Sequence, residues 1–149
     1  MTQQFWIGVV SKEHVMRGKA GGFAQVCHGK EAPLKRMKAN DMLVYYSPNV
    51  TFGEKSPYRC FTALGIILPK EAYQVKMNDD FIPFRRDVHY IETQDAAIFD
   101  LIPELSFIHN KAKWGAAFRF GILKIPRDDF TIIAKAMGLA HEKINELLL

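Results

Sequence analysis

The apolar residues of this chain fall into short blocks rich in β-branched and aromatic side chains, separated by Gly, Pro, Asn and charged residues. Blocks of that length and composition predict strands rather than long helices. Residues 5–10, Phe-Trp-Ile-Gly-Val-Val, predict the first strand, and Gly8 in its middle predicts a bend or a close backbone approach. Ser11 is placed to cap a short helix over 12–17 that ends near Gly18 and is followed by Gly21-Gly22. Residues 23–28 predict another strand, 33–38 a basic one-turn helix or loop, and Asn40-Asp41 a turn.

Three further strands are predicted over 42–47, 61–68 and 84–91, with a shorter one over 72–76. Pro48 is expected to end the first of these, and the Asn, Gly and Pro content of 49–58 predicts an exposed loop. Asp95 is placed to cap a helix over 96–102, and the polar turn His109-Asn110-Lys111 precedes a last strand over 117–125. Pro126 with Asp128 starts a helix stopped by Gly138, and 140–148 makes a final short amphipathic helix. The result is an α+β chain of about six strands with short flanking helices. Interior glycines at Gly8, Gly65 and Gly121 favour a small, strongly bent mixed barrel over a flat sheet. The strands do not alternate with long helices, so a doubly wound fold is not expected.

Composition narrows the class. With 149 residues, 48% of them hydrophobic and 24% charged, one globular domain over 1–149 is expected. No apolar run approaches the ~18 residues needed to span a bilayer, and no basic leader precedes an apolar core, so a cytoplasmic, membrane-free protein is expected. Two cysteines, Cys27 and Cys60, without C-x-x-C spacing, are read as reduced thiols. The net charge of +4 is unevenly placed, since residues 1–40 carry +5 and the remainder −1. That asymmetry suits a positive face directed at a polyanion, with Lys12, Arg17, Lys19 and Lys30 as candidate phosphate-binding residues.

Catalytic patterns are missing. His141-Glu142-Lys143-Ile144-Asn145 has Asn where a zinc-binding H-E-x-x-H helix needs its second histidine. Cys27 and His28 are adjacent, so in a strand they point to opposite faces and form no nucleophile–base pair. Asp79-Asp80 reads as a turn and Asp128-Asp129 as helix-start charge. Gly18-Lys19-Ala20-Gly21-Gly22 lacks the order of a phosphate loop, and no Gly-x-Ser-x-Gly elbow occurs. No metal and no cofactor is expected.

The residue types that remain suit a flat polar ring. Trp6, Tyr46 and Trp114-Gly115 lie beside glycine or proline at strand ends, Arg85, Arg86 and Arg119 project from strands, and Ser11, Ser47 and Asn110 offer hydrogen bonds. A strand tryptophan such as Trp6 packs in a core as readily as in a pocket, and alternation turns one of Tyr45 and Tyr46 inward. By the same alternation, at most one of Arg85 and Arg86 faces a pocket.

Phe5-Trp6-Ile7-Gly8-Val9-Val10-Ser11 with His14-Val15, then Gly21-Gly22-Phe23-Ala24-Gln25-Val26, Tyr45-Tyr46-Ser47-Pro48, Phe61-Thr62-Ala63-Leu64-Gly65, Pro83-Phe84-Arg85-Arg86 and Trp114-Gly115 with Arg119 occur in this order. Together they resemble the EVE domain family across nearly the whole chain. The resemblance implies a PUA-like barrel related to the YTH, ASCH and SRA domains. It also implies non-catalytic recognition of DNA or RNA through a pocket for a flipped or unpaired base, in several relatives a modified one, and many bacterial members consist of the domain alone. The implied pocket comprises Trp6, Ser11, the Gly22-Phe23-Ala24 backbone, Tyr46, Ser47 and Trp114, with Arg85 and Arg119 near its mouth or floor. Two other readings stay open from the residues alone: an enzyme acting on a nucleobase or small polar ring, and a basic module that meets an acidic protein.

Overall fold

The computed structural model describes residues 2–149. Eight strands are present: β1 (Phe5–Val9), β2 (Phe23–Ala24), β3 (Met42–Asn49), β4 (Pro57–Ile67), β5 (Tyr73–Gln74), β6 (Phe84–Ile91), β7 (Ala96–Ala97) and β8 (Ile122–Ile125). They are flanked by helices α1 (Lys12–Gly21), α2 (Glu31–Arg36), α3 (Arg127–Ala136) and α4 (His141–Leu147). The main path runs β2-β6-β4-β3-β1-β8, with β5 beside β6 and β7 beside β4. β1 and β3 are parallel and every other pairing is antiparallel. This six-strand path is a mixed half-barrel with short flanking helices.

Alternation along β1 and β3 divides the interior into two cores. Phe5, Ile7, Met42, Val44 and Tyr46 face one side and pack on Phe130 and Ile133 of α3 and on Met137 just after it. Trp6, Leu43 and Tyr45 face the other, against Val15 of α1 and Leu34 of α2. The bend depends on glycine at two contacts. A Cβ on Gly8 would lie 2.9 Å from the Tyr45 ring, and one on Gly65 would lie 2.5 Å from Val88 Cγ1.

Several elements differ from their predicted form. α1 continues through Gly18 because that residue rests on the Phe23 carbonyl, where a Cβ would come within 2.6 Å of the oxygen. The helix ends instead at Gly22, whose φ of 72° makes a left-handed cap. Pro48 does not end β3, since it falls at a register shift between Ser47 and Asn49 where its missing N–H is tolerated. Asp95 caps nothing. Its carboxylate accepts from Lys12 Nζ and Tyr58 Oη, and the predicted helix is replaced by β7 and two short 3-10 turns.

The predicted strand over 23–28 contracts to β2, because the chain turns left-handed at Cys27 and His28. Residues 111–118 wind as 3-10 helix, so β8 is confined to four residues. Trp114, Ala117 and Phe118 all pack on the first core, and their i, i+3, i+4 spacing is helical rather than alternating.

Buried charge ties the helices and turns to the sheet. Asp41, 1% exposed, accepts from the Gln4 amide (2.9 Å), the Trp6 indole (3.0 Å) and the Lys38 amide (2.8 Å). Asp129 of α3 accepts from both Ser106 amide and hydroxyl and from the Phe107 amide. The Arg86 guanidinium donates to the carbonyls of Leu34, Met37, Leu68 and Lys70, joining α2 to the end of β4.

Removing the Asp41 carboxylate strands three donors in the interior. Asp41→Ala is expected to cost about 3 kcal/mol and to lower the unfolding midpoint by about 10 °C. Asp41→Asn, which keeps one acceptor oxygen, is expected to lose less. Thermal denaturation of both variants followed by circular dichroism is the measurement, and a midpoint for Asp41→Ala within a degree or two of the parent would contradict the assignment.

Candidate functional site

The parallel pair β1–β3 brings two chain segments out at one edge of the half-barrel. Val10, Ser11 and α1 leave from β1, while Pro48 and Asn49 at the end of β3 lead into the loop carrying Phe52. They diverge, and a cleft of about 540 Å³ lies between them. Its far wall is the Gln25–Gly29 segment, and its floor comes from Phe118, Arg119 and Gly121. A volume of this order is that of sites for small organic ligands.

The far wall owes its shape to unusual backbone. Cys27 and His28 have φ of 50° and 59°, and Gly29 follows at 81°. Three successive left-handed residues turn the chain sharply after β2 and present the His28 ring beside Phe52, with centroids 5.7 Å apart. Opposite them, Gly121 adopts a φ of 77°, and a Cβ there would lie 3.0 Å from Cys27 Sγ.

Two smaller hollows open from the cleft. One shares His14 and Gln25 with it and adds Arg17, Phe23 and Arg85; the other shares Cys27, His28, Arg119 and Gly121 and adds Lys30, Arg36 and Phe120. The three together are lined by five Lys/Arg side chains and by no carboxylate. Arg17 is bonded to Glu13 at 2.8 Å, whereas Lys30, Arg36, Arg85 and Arg119 enter none of the ion pairs among the described residues. Arg85 is aimed by Gln25, whose Oε1 accepts from its Nε at 3.1 Å, and its guanidinium lies 3.9 Å from the Phe23 ring centroid.

Within the cleft Phe52, Phe81 and Phe118 offer ring surface, and Ser11, His14, Gln25, His28 and Asn49 offer polar groups. Burial, with Arg17 nearby, holds the His14 imidazole below its ordinary value, only partly countered by Glu13. Burial also pushes the Cys27 thiol up, so it is protonated at neutral pH and a poor nucleophile. Its sulfur faces the Phe120 carbonyl rather than His28. Among the described residues no three His, Cys, Asp or Glu side chains gather as metal ligands.

The residues expected at the site divide into two groups. Ser11 and Arg119 line the cleft, Phe23, Arg85 and Arg17 line one hollow, and Lys30 lines the other. The others lie elsewhere. Trp6 is 5% exposed and belongs to the second core, where its indole is held by Asp41. Tyr46 is buried behind the floor, stacked on Phe118 at 4.3 Å, and burial pushes its phenol up to about 12. Ser47 is buried and bonded to Thr62 at 2.8 Å.

Trp114 stands outside the cleft, edge-on to Phe99 at 5.4 Å and to Phe118 at 6.3 Å. Gly22 is the α1 cap, and Ala24 is buried in pairing with Arg86. Lys12 is held by Asp95 and Tyr58, and their hydrogen bonds raise its pKa. Lys19 lies 4.0 Å from Glu92, away from the cleft. Among the lining residues Phe52, Phe81, Phe118, Asn49, Arg36 and Phe120 had not been anticipated. One signal for Phe52 existed, a large apolar ring inside a predicted exposed loop.

The EVE domain family model matches residues 4–136. A Bacillus licheniformis protein described as "UPF0310 protein in gntR 5'region" is 46% identical over 127 residues, which is 85% of this chain and 86% of that one. Among solved structures, the Pho92 YTH domain in complex with m6A superposes with a TM-score of 0.57 at 11% identity, covering 93% of this chain and 88% of that one. Human THYN1 in complex with 5-methylcytosine-containing DNA gives 0.55 at 13% identity, covering 93% and 99%. At these identities the two structures establish the fold.

Two predictions concern the walls. Gly121→Ala forces a Cβ into a left-handed position against Cys27 and is expected to cost about 1–2 kcal/mol, whereas Gly115→Ala, with nothing within 4 Å of the added carbon, is expected to be neutral. Denaturant titration of the two variants distinguishes them, and equal stability would refute the strain argument. For His14, the folded value lies below the unfolded 6.5, so the unfolded chain binds more protons and stability falls as pH drops below 6.5. His14→Gln should therefore lose less stability than the parent between about pH 7.5 and about pH 5, measured by urea midpoints.

Proposed function

This chain belongs to the EVE domain family, and we propose that it is a non-catalytic nucleic-acid binding module that receives one base in the cleft between β1 and β3. The observation that carries the proposal is the continuous lining of the cleft and its two hollows: ring surface and uncharged polar groups at the centre, Lys/Arg on both flanks, and no carboxylate. A nucleotide has that same distribution, a flat polar ring between anionic phosphates. An acidic protein partner would meet the flanking cations but leaves the ring-lined centre unexplained.

In this reading the base lies against the ring surface of Phe81 and Phe118, and its edge is read by Asn49, Gln25 and Ser11. Arg119 together with Lys30 and Arg36 takes the phosphate on one side, and Arg85 with Arg17 takes it on the other. Two structures of the same fold hold m6A and 5-methylcytosine-containing DNA respectively, which supports a methylated base as the preferred ligand. Burying one methyl group contributes only about 0.8 kcal/mol, so a larger preference requires a shape that the unmodified base fills badly. The cleft holds His14 and His28, but no carboxylate lines it to orient either imidazole, and the Cys27 thiol is protonated.

Fluorescence-anisotropy titration with short oligonucleotides, plain and carrying 5-methylcytosine or N6-methyladenine, tests this at two salt concentrations. Binding is expected to weaken with salt, and the methylated strand to be favoured by about fourfold or more. Arg119→Ala and Arg85→Ala are each expected to weaken all sequences alike and to flatten the salt dependence by about one unit of log–log slope, while Lys19→Ala changes neither. Dissociation constants weaker than about 1 mM for every oligonucleotide at low salt would sink the proposal.

A further inference from the structure

Phe52 is 72% exposed and Phe120 77% exposed, matched among the large apolar side chains of the described residues only by the C-terminal Leu149. Both stand on the cleft system, Phe52 on the central chamber and Phe120 on the hollow that contains Arg36 and Arg119. Each is followed by a glycine in the left-handed region, Gly53 at a φ of 78° and Gly121 at 77°, so each ring is carried beside a tight turn. The ring beside Phe52 is His28, at a steep interplanar angle of 72°. Water-exposed phenyl rings on either side of a basic, ring-lined cleft are unexplained by packing.

Resting on the reading above, we propose that Phe52 and Phe120 stack on the bases flanking the one held in the cleft, and that the ligand is a single-stranded segment of DNA or RNA. Stacking on an aromatic side chain requires a free base face. In a duplex the neighbours of an extruded base keep their own stacks and partners, so reaching both would add unstacking to the few kcal/mol of extrusion. An unpaired strand presents three successive faces without that cost. The cations also fit a strand that follows the rings, because Lys30, Arg36 and Arg119 line the same hollow as Phe120 and Arg119 also lines the chamber that holds Phe52.

Anisotropy titration with fluorescein-labelled mixed-sequence oligonucleotides decides the matter, using single-stranded DNA, single-stranded RNA and the corresponding DNA duplex. Single strands are expected to bind at least about tenfold more tightly than duplex. Phe52→Ala and Phe120→Ala should each weaken single-strand binding by about 5-fold to about 150-fold with the salt slope unchanged, because no charge is lost. Phe99→Ala, at an exposed ring outside the cleft, should leave affinity as it was. Comparison of the DNA and RNA strands identifies the sugar. Duplex binding as tight as single-strand binding, or unchanged affinity in both Phe52→Ala and Phe120→Ala, overturns the stacking assignment while leaving the module reading intact; no binding to any strand overturns that reading instead.

Discussion

The parallel pairing of β1 with β3 is the constraint on which the site depends. Adjacent antiparallel strands can be closed by a hairpin, but two parallel strands release their chains at the same edge and those chains must part. Here one turns into α1 and the other into the Phe52 loop, and the space left at the carboxyl ends of the strands becomes the cleft. It is the situation that puts ligand sites at strand ends in open α/β sheets, arrived at in a half-barrel. The lining residues Val9, Val10 and Ser11 on one side and Pro48 and Asn49 on the other are set by the register Gly8↔Tyr45, Val9↔Tyr46.

Buried charge then fixes what surrounds that edge. Asp41 sits at the far end of the same strand pair, and its bonds to Gln4, Trp6 and Lys38 set the point where β3 begins. Arg86 fastens α2 to the sheet, and α2 carries Arg36, which lines the outer hollow. Next to it in β6, Arg85 points the other way, into the inner hollow. Adjacent arginines thus serve separate ends, one holding four carbonyls in place and the other left available at the surface.

Strand content was legible because the blocks were short, β-branched and punctuated by glycine: β1, β3 and β6 lie within two residues of where composition places them, while β4 begins at Pro57, inside the predicted loop. Less legible was any segment whose backbone is decided by tertiary contact. Nothing local indicates that Gly18 stays helical, since the reason is the carbonyl of Phe23 beneath it. Ala117 and Phe118 look extended until Phe118 is seen to need Tyr46 as a stacking partner. Aromatic type alone also cannot choose between pocket and core. Trp6, Tyr46 and Trp114 were the obvious rings, yet each is held by packing or by a carboxylate, and two of the rings that line the cleft, Phe52 and Phe81, come from loops whose positions no periodicity encodes.

The placement of the two tryptophans has an optical consequence. Trp6 is enclosed in the second core with its indole N–H on a carboxylate, on the opposite face of the sheet from the stacked rings of Tyr46 and Phe118. Trp114 is half-buried against Phe118, which forms part of the cleft floor. Intrinsic emission therefore has two emitters of separate meaning: a shielded one that responds to loss of the fold, and a solvent-touching one a single ring away from whatever enters the cleft. A label-free signal for occupancy is built into the chain, and a Trp6-silent background would isolate it.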